Sequence, residues 1–143
     1  TNPFVPGNTD FNLCKMLAGS EGTLAFTTEI KLNCVQLPPK HTVLVCAHFH
    51  DIDESMNATL IAMQHQPRAV ELMDKIILDC TKENIEYRKA RFFVEGDPGA
   101  ILVIEFGDET KEAAVTKAND MILDMQRSKY GYTFPLVDGN NIK

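Results

Sequence analysis

The chain has 143 residues, of which 44% are hydrophobic and 24% charged, a composition typical of a globular domain and not of a disordered chain. Its net charge of −6 argues against a general affinity for nucleic acid or anionic membranes. With no run of 18 apolar residues and no secretory signal in residues 1–10, the sequence predicts a cytoplasmic protein without a membrane span. A first residue other than Met indicates a chain that has been processed, trimmed or cut from a longer sequence.

The first 37 residues predict a loop, a short helix and a strand. Prolines, a glycine and asparagines in residues 1–10 indicate an entering loop, and apolar residues at 13, 16 and 17 favour a short helix or turn within residues 11–17. Residues 24–37 alternate apolar and polar side chains, which predicts a strand with one face against a core. Pro38-Pro39 cannot donate hydrogen bonds to a sheet, so we place a domain boundary or linker there.

A strand and a helix are predicted directly after the prolines. Residues 41–49 are rich in β-branched side chains and predict a buried strand. Asp51 is suited to cap a following helix, with Glu54 three residues later as its reciprocal partner. In that helix, four large apolar residues recur at helical spacing, namely Ile52, Met56, Leu60 and Met63.

The middle of the chain predicts a second strand, a second helix and a hairpin. Residues 69–73 predict the strand, and Asp74 is suited to cap the helix that follows it. The apolar face of this helix is predicted to comprise Ile76, Ile77 and Cys80, with Ile85 near its end. Residues 92–95 and 100–106 flank the strong turn signal Gly96-Asp97-Pro98-Gly99 and predict the hairpin.

The last third of the chain predicts the best-defined helix, over residues 108–127, and a final strand over residues 132–137. The apolar stripe of the helix comprises Ala114, Ala118, Met121 and Met125, widened by Val115 and Ile122. With one extra helix set aside, the order after Pro39 is βαββαβ. This order predicts an α+β, ferredoxin-like sandwich, in which an antiparallel sheet carries helices on one face.

The hexapeptide Gly19-Ser20-Glu21-Gly22-Thr23-Leu24 has the composition of a ligand-binding loop. Two glycines three residues apart let the backbone approach a ligand closely. Exposed N–H groups and the hydroxyls of Ser20 and Thr23 suit the oxygens of a phosphate or a heterocycle. On spacing alone, however, such a stretch is more often a purely structural turn.

With its flanks, this hexapeptide is far more specific. The string Asn12-Leu13-x-Lys15-x-Leu17-x-Gly19-Ser20-Glu21-Gly22-Thr23-Leu24, followed by Thr28-Glu29-Ile30, resembles the end of the FAD-binding domain in FAD-linked oxidases of the vanillyl-alcohol oxidase and p-cresol methylhydroxylase type. That family includes glycolate, D-lactate and 2-hydroxyglutarate dehydrogenases. The segment Ala69-Val70-Glu71-Leu72-Met73-Asp74 resembles the stretch after the first helix of the family's ferredoxin-like C-terminal domain.

The resemblance implies that residues 1–37 end an FAD-binding domain, contributing a loop and a strand, and that residues 40–143 belong to the C-terminal domain. It implies FAD contacts, largely through backbone, at Gly19, Ser20, Glu21, Gly22, Thr23 and Leu24. The parent protein would be an FAD-dependent oxidoreductase that transfers hydride from a small 2-hydroxy acid, such as D-lactate or glycolate, to the flavin. The chain's partners would be this substrate and the remainder of its own parent chain.

Two family segments are absent from these 143 residues, the glycine-rich pyrophosphate loop and the histidine-rich H-x-G-D-G-N stretch. We therefore expect a fragment that is inactive alone, binds FAD weakly or not at all by itself, and supplies no catalytic residue. Ala25 stands where the family commonly has glycine, and a positive φ there would strain it. The alternative is a non-catalytic ferredoxin-like module that binds a small ligand or forms a homodimer across a sheet edge.

Two histidines and four cysteines raise the question of a metal site. On a strand, His48 and His50 share a face, and Asp51 could add a third ligand, but we expect a solvated strand end without metal. The cysteines form no C-x-x-C pair and match no zinc framework. We expect them to be reduced core thiols of a cytosolic protein, at Cys14, Cys34, Cys46 and Cys80.

Acidic pairs and one basic cluster complete the candidate sites. Glu71 with Asp74, and Glu95 with Asp97, could serve proton transfer, although structural roles such as helix capping are favoured for them. The basic cluster could attract a carboxylate substrate, although a solvated helix C-terminus explains its cations more simply. That cluster comprises Arg88, Lys89 and Arg91.

Overall fold

The computed structural model describes residues 12–138, which divide into two compact units separating between Gln36 and Leu37. The described part of the first unit forms the helix α1 (Leu13–Ala18). It begins at Asn12, whose side chain accepts a hydrogen bond from the Cys14 N–H at 3.1 Å. The short helix predicted within residues 11–17 is therefore confirmed, whereas the loop predicted for residues 1–10 lies outside the described residues.

The strand predicted over residues 24–37 is wrong. This range pairs with no strand, and its side chains are exposed, with Phe26 at 93% and Leu37 at 91%. Alternating apolar residues show which side chains would face a core, but a strand also needs a neighbour for its N–H and C=O groups. The described residues of the first unit include no second strand, so the segment stays irregular.

The second unit is an α+β fold, and its sheet confirms the predicted antiparallel class. Its elements are β1 (His41–Phe49), α2 (Ile52–Gln64), β2 (Ala69–Asp74), α3 (Lys75–Cys80), α4 (Ile85–Lys89), β3 (Ala100–Asp108), α5 (Lys111–Arg127) and β4 (Leu136–Asp138). The strands form a four-stranded antiparallel sheet in the order β2-β3-β1-β4. The central pair runs in register from His41 opposite Asp108 to Phe49 opposite Ala100.

One face of the sheet packs against α2 and α5 and forms the main core. The predicted stripe of α5 is confirmed, because Ala114, Ala118, Met121 and Met125 are all fully buried. The alanines let the helix approach the sheet, and burial of each methionine contributes about 1.5–3 kcal/mol. Among residues 12–138, no helix is both long and apolar enough to cross a membrane.

Helices also reach the opposite face of the sheet, which corrects the expectation of helices on one face only. Leu78 of α3 is buried there against Cys46, Ile101 and Val137. The predicted hairpin is also wrong, since residues 92–95 form no strand. The reason is positional, because β3 already has β2 on one side and β1 on the other and offers no free edge to a hairpin partner.

The helical spacing of apolar residues correctly predicts that α2 and α3 are helices. It does not predict which side of each helix packs against the sheet. In α2 the sheet contacts the small side, Ser55, Ala58 and Ala62. In α3 the buried residue is Leu78, whereas the predicted face is exposed, at Ile76, Ile77 and Cys80, and so is Ile85 of α4. Periodicity locates an apolar stripe, but the space between elements selects the side that fits.

Gly99 allows the chain to pass close to the end of β1, and replacing it should destabilise the fold. A Cβ at Gly99 would lie 2.1 Å from the His50 carbonyl oxygen, and the Gly99 N–H donates to Phe49 O at 3.0 Å. We expect Gly99→Ala to lower the free energy of unfolding by about 3 kcal/mol, as overpacking in a tight site does. Urea denaturation of the full chain measures it.

Gly96→Ala is the matched control in the same loop. A Cβ there meets nothing within 4 Å, but φ is +69°, so backbone strain of about 1–2 kcal/mol is the only cost expected. Equal losses of stability in the two variants would show that the contact with the His50 carbonyl does not matter.

Candidate functional site

The hexapeptide predicted to contact FAD follows α1 directly as a tight turn. Gly19 ends the helix, and the Ser20 hydroxyl donates to the Leu17 carbonyl oxygen at 2.8 Å. Thr23 closes the turn twice, since its N–H donates to Ser20 O at 2.9 Å and its hydroxyl donates to the same oxygen at 2.6 Å. The hydroxyl protons of Ser20 and Thr23 are therefore both donated within the turn. The donors that remain for a ligand are backbone N–H groups.

The two central residues of this turn have left-handed backbones. Glu21 has φ of 49° and Gly22 has φ of 77°, which is the signature of a type I′ turn. Their N–H groups take no part in the closing hydrogen bond of such a turn, and both residues are exposed. A Cβ at Gly19 or Gly22 would meet nothing within 4 Å, so the space beside the turn is open to a ligand. Ala25 is not among the residues with positive φ and is not strained.

In the second unit, His48 is fully buried near the end of β1. Its ring is hydrogen-bonded at both nitrogens, with Nδ1 at 2.8 Å from the Cys46 carbonyl oxygen and Nε2 at 3.0 Å from the Glu95 N–H. A carbonyl only accepts and a backbone N–H only donates, so these partners fix a neutral ring that carries its proton on Nδ1. Burial lowers the pKa of His48, against weaker opposing effects of the Cys46 hydrogen bond and the Glu95 charge.

The expected solvated strand end is therefore wrong for His48, although it holds for the exposed His50. The ring of His48 lies in the protein interior, where the segment before β3 supplies the Glu95 N–H as its partner. Neither ring nitrogen of His48 is available to a metal. Within residues 12–138, no three His, Cys, Asp or Glu side chains are placed to hold a metal ion.

A set of polar and aromatic side chains surrounds His48 and ties the end of β1 to its neighbours. Glu54 accepts the His50 N–H at 2.9 Å and the Gly131 N–H at 2.8 Å, which joins α2 to the segment before β4. Tyr132 stacks on His50 with ring centroids 4.8 Å apart. The Thr133 hydroxyl donates to Glu95 at 2.7 Å. We call this set the histidine cluster: His48, His50, Glu54, Glu95, Tyr132 and Thr133.

Two of the three remaining candidate acids hold structural positions. Asp97 accepts hydrogen bonds from Lys75 and Lys82, each at 2.8 Å, and these lysines lower the pKa of its carboxyl to about 2. Asp74 caps α3 by accepting a backbone N–H at 2.8 Å, as predicted. Glu71 is exposed on the edge strand β2. Asp74 and Asp97 are thus accounted for by a helix cap and by ion pairs, and Glu71 is a solvated side chain.

The basic cluster divides into two kinds of residue. Arg88 and Lys89 are exposed in the last turn of α4, the solvated helix end that was predicted. Arg91 is partly buried instead, and its guanidinium donates to the Leu78 carbonyl and the Thr81 hydroxyl. Arg91 therefore fastens the end of α3.

An apolar cavity of about 120 Å³ lies beside Arg91, between α3, α4 and the segment after α4. Its lining residues are Met73, Ile77, Leu78, Thr81, Tyr87, Ala90, Arg91, Phe93 and Val94. Because Arg91 is hydrogen-bonded to the protein, the cavity suits an apolar group and not a carboxylate.

All four cysteines are free thiols, but Cys46 is the buried one. Burial raises the pKa of the Cys46 thiol to about 11, which keeps it protonated and unreactive. Cys14, Cys34 and Cys80 are exposed, so the prediction of core thiols is wrong for these three. For Cys34 the prediction fails because residues 24–37 form no strand and pack against no core.

Comparison with family models matches residues 38–137 to the family described as FAD linked oxidases, C-terminal domain. This range holds β1, β2, β3, the first two residues of β4 and the histidine cluster, and it exceeds half of the chain. The chain belongs to the FAD-linked oxidase family. Its second unit thus consists of part of the family's C-terminal domain, as the resemblance of residues 69–74 implied.

Curated relatives agree with this family. D-2-hydroxyglutarate dehydrogenase of Pseudomonas putida is 31% identical over 107 residues, which are 71% of this chain and 10% of the relative. The enzyme of the same name from Escherichia coli is 27% identical over 135 residues, 87% of this chain and 13% of the relative. D-lactate dehydrogenase of Archaeoglobus fulgidus is 30% identical over 112 residues, 77% of this chain and 24% of the relative. The chain therefore spans about a tenth to a quarter of the length of these relatives.

The buried neutral state of His48 predicts how stability depends on pH. As the pH falls below about 6.5, the unfolded chain takes up a proton at this histidine more readily than the folded chain, in which the pKa of His48 is lowered. The free energy of unfolding should therefore fall as the pH drops from about 6.5, by up to about 1.4 kcal/mol per pH unit. In His48→Gln, whose amide can both donate and accept, this contribution should disappear.

The measurement is urea denaturation at several pH values between about 5 and 7.5. His50→Gln is the control, because it removes an exposed imidazole two residues away and leaves His48 in place. If wild type and His48→Gln show the same pH slope, His48 is not the group responsible.

Proposed function

We propose that this chain is part of a longer FAD-dependent oxidoreductase that oxidises a small 2-hydroxy acid, with D-lactate, glycolate and D-2-hydroxyglutarate as the first substrates to try. The observation that supports it best is the family match over residues 38–137, together with relatives named for D-2-hydroxyglutarate and D-lactate. The chain alone is inactive, because it spans at most 24% of such a relative. Its free thiols accord with a cytoplasmic protein.

Residues 1–37 form the C-terminal end of the FAD-binding domain in this proposal. The support is the apolar surface of residues 24–37, where Phe26, Leu32 and Val35 are more than 80% exposed. Such an apolar surface is suited to pack against the rest of the FAD-binding domain.

The turn at Gly19, Ser20, Glu21, Gly22, Thr23 and Leu24 would hold the cofactor. Its geometry fits FAD, because the central N–H groups of an exposed type I′ turn suit phosphate or ring oxygens. Glu21 keeps a left-handed backbone although it is not glycine, a strain that is common where proteins bind ligands. The chemistry that FAD supplies when bound is acceptance of a hydride from the substrate carbon. The residues of this turn only bind and orient.

Residues 40–143 form part of the domain that covers the substrate side of the flavin. We propose a ferredoxin-like arrangement for it, supported by the strand order and by the helices α2 and α5, which follow β1 and β3 and pack on one face. The alternative function, a non-catalytic ligand-binding or dimerisation module, has weaker support because the matched family is named for FAD-linked oxidases.

The parent protein should purify yellow and react with a 2-hydroxy acid. We expect flavin absorbance in the parent chain, and bleaching of that absorbance when D-lactate, glycolate or D-2-hydroxyglutarate is added without oxygen. For lactate and 2-hydroxyglutarate, which are chiral, the L-enantiomer is the control. A parent chain that stays colourless after incubation with FAD would reject the proposal and favour the non-catalytic module.

Gly22→Ala in the parent chain tests the turn itself. Alanine at φ of 77° costs about 1–2 kcal/mol, so FAD should bind about tenfold more weakly if the turn must keep this conformation to hold it. Gly96→Ala is a strain-matched control, with φ of 69° and the same open space at its Cβ. Flavin titration compares the two, and equal affinities would place the cofactor contacts elsewhere.

A further inference from the structure

Helix α2 carries apolar residues on two sides. Its small side chains Ser55, Ala58 and Ala62 are fully buried against the sheet and α5. Its large apolar side chains face away from the core and are exposed, with Ile52 at 44%, Met56 at 57%, Leu60 at 68% and Met63 at 58%. We call these four residues the α2 stripe. A helix that is apolar on both sides is typical of one packed between two layers.

The size of the α2 stripe favours a neighbour in the same chain over a second copy. The four side chains expose on the order of 500 Å², which is near the upper end for the largest patch of a soluble monomer. A stable dimer buries about 800 Å² on each partner and must also offset the translational freedom lost on association. A segment of the same polypeptide needs less contact area, because it is already held nearby.

The flanks of the α2 stripe restrict its occupant further. Asp53 is exposed in the first turn of α2 beside Ile52, and it adds negative charge at that end. Along the rest of the helix the exposed neighbours are uncharged, at Asn57 and Gln64. An occupant with apolar residues at helical spacing and a Lys or Arg opposite Asp53 would complement this surface.

We propose that the α2 stripe is covered by a second amphipathic helix from the part of the parent chain outside residues 1–143. This inference rests on the proposed function, in which the chain is one portion of a longer oxidoreductase, and the chain spans only 10% and 24% of two matched relatives. The occupant packs apolar side chains between Met56, Leu60 and Met63. The methionines adapt their conformations to it.

Photo-crosslinking in the parent chain identifies the occupant. With p-benzoylphenylalanine in place of Leu60, we expect an intramolecular product that joins α2 to a peptide outside residues 1–143. The same amino acid in place of Asn57, on the polar flank of α2, should give little or none of it. A product between two copies would overturn the proposal in favour of a dimer, and no product at Leu60 would show that the stripe faces water.

A pair of charge substitutions gives an independent test. In the parent chain, Leu60→Glu should lower Tm by about 4 °C or more, because it places a carboxylate in a covered apolar contact. Asn57→Glu adds the same charge one turn earlier on the exposed flank and should change Tm little. Equal Tm values for the two variants would contradict a covered stripe.

Flavin absorbance measured on the same preparations separates this inference from the proposed function. If the parent chain is colourless but still gives the intramolecular product, the helix contact is supported and the flavin proposal is rejected. If the parent chain is yellow but gives no such product, the oxidoreductase proposal is supported and the helix contact is rejected.

Discussion

Strands β1 and β3 pair along their whole length, from His41 opposite Asp108 to Phe49 opposite Ala100, and the rest of the second unit is arranged around this pair. Both strands are covered on their two faces for most of their length, which explains why they read as nearly continuous apolar runs. Strands β2 and β4 occupy the two outer sides of the pair. A residue inserted into either central strand would therefore disturb the core, both edge strands and the histidine cluster together.

The chemistry-bearing residues of the second unit serve mainly to hold this arrangement. His48 uses both ring nitrogens to join β1 to the loop before β3, and Glu54 uses its carboxylate to join α2 to the segment before β4. Because both ring nitrogens of His48 are occupied in this way, neither is available to a substrate. The exposed turn around Glu21 and Gly22 has the opposite character, because its central N–H groups lie outside the turn's closing hydrogen bond. We therefore propose the cofactor contacts in the first unit, at this turn.

Two apolar patterns in the sequence remain uncovered in the described residues. Residues 24–37 alternate like a strand, and the α2 stripe repeats like a helix face, yet both expose their large side chains. An apolar pattern indicates that a segment favours burial. Whether its side chains are buried depends on which neighbours are present. In the longer protein that we propose, these two surfaces are the ones that further segments of the chain would cover.

Local sequence signals predict many of the structural elements of this protein. The caps at Asp51 and Asp74, the strands β1 and β2 and the buried stripe of α5 follow from side-chain chemistry and spacing within a few residues. The hexapeptide at Gly19 to Leu24 also stood out locally, as a motif. These features depend on neighbours in sequence, so they can be read without knowing the fold.

Features that depend on distant partners could not be read in this way. The neutral state of His48 requires the Glu95 N–H, 47 residues away, and residues 92–95 are no strand because β2 already occupies the free side of β3. The sides on which α2 and α3 pack likewise depend on the space between each helix and the sheet face that it covers. Periodicity indicates which side chains favour burial, but the fold determines which surface is available to cover them.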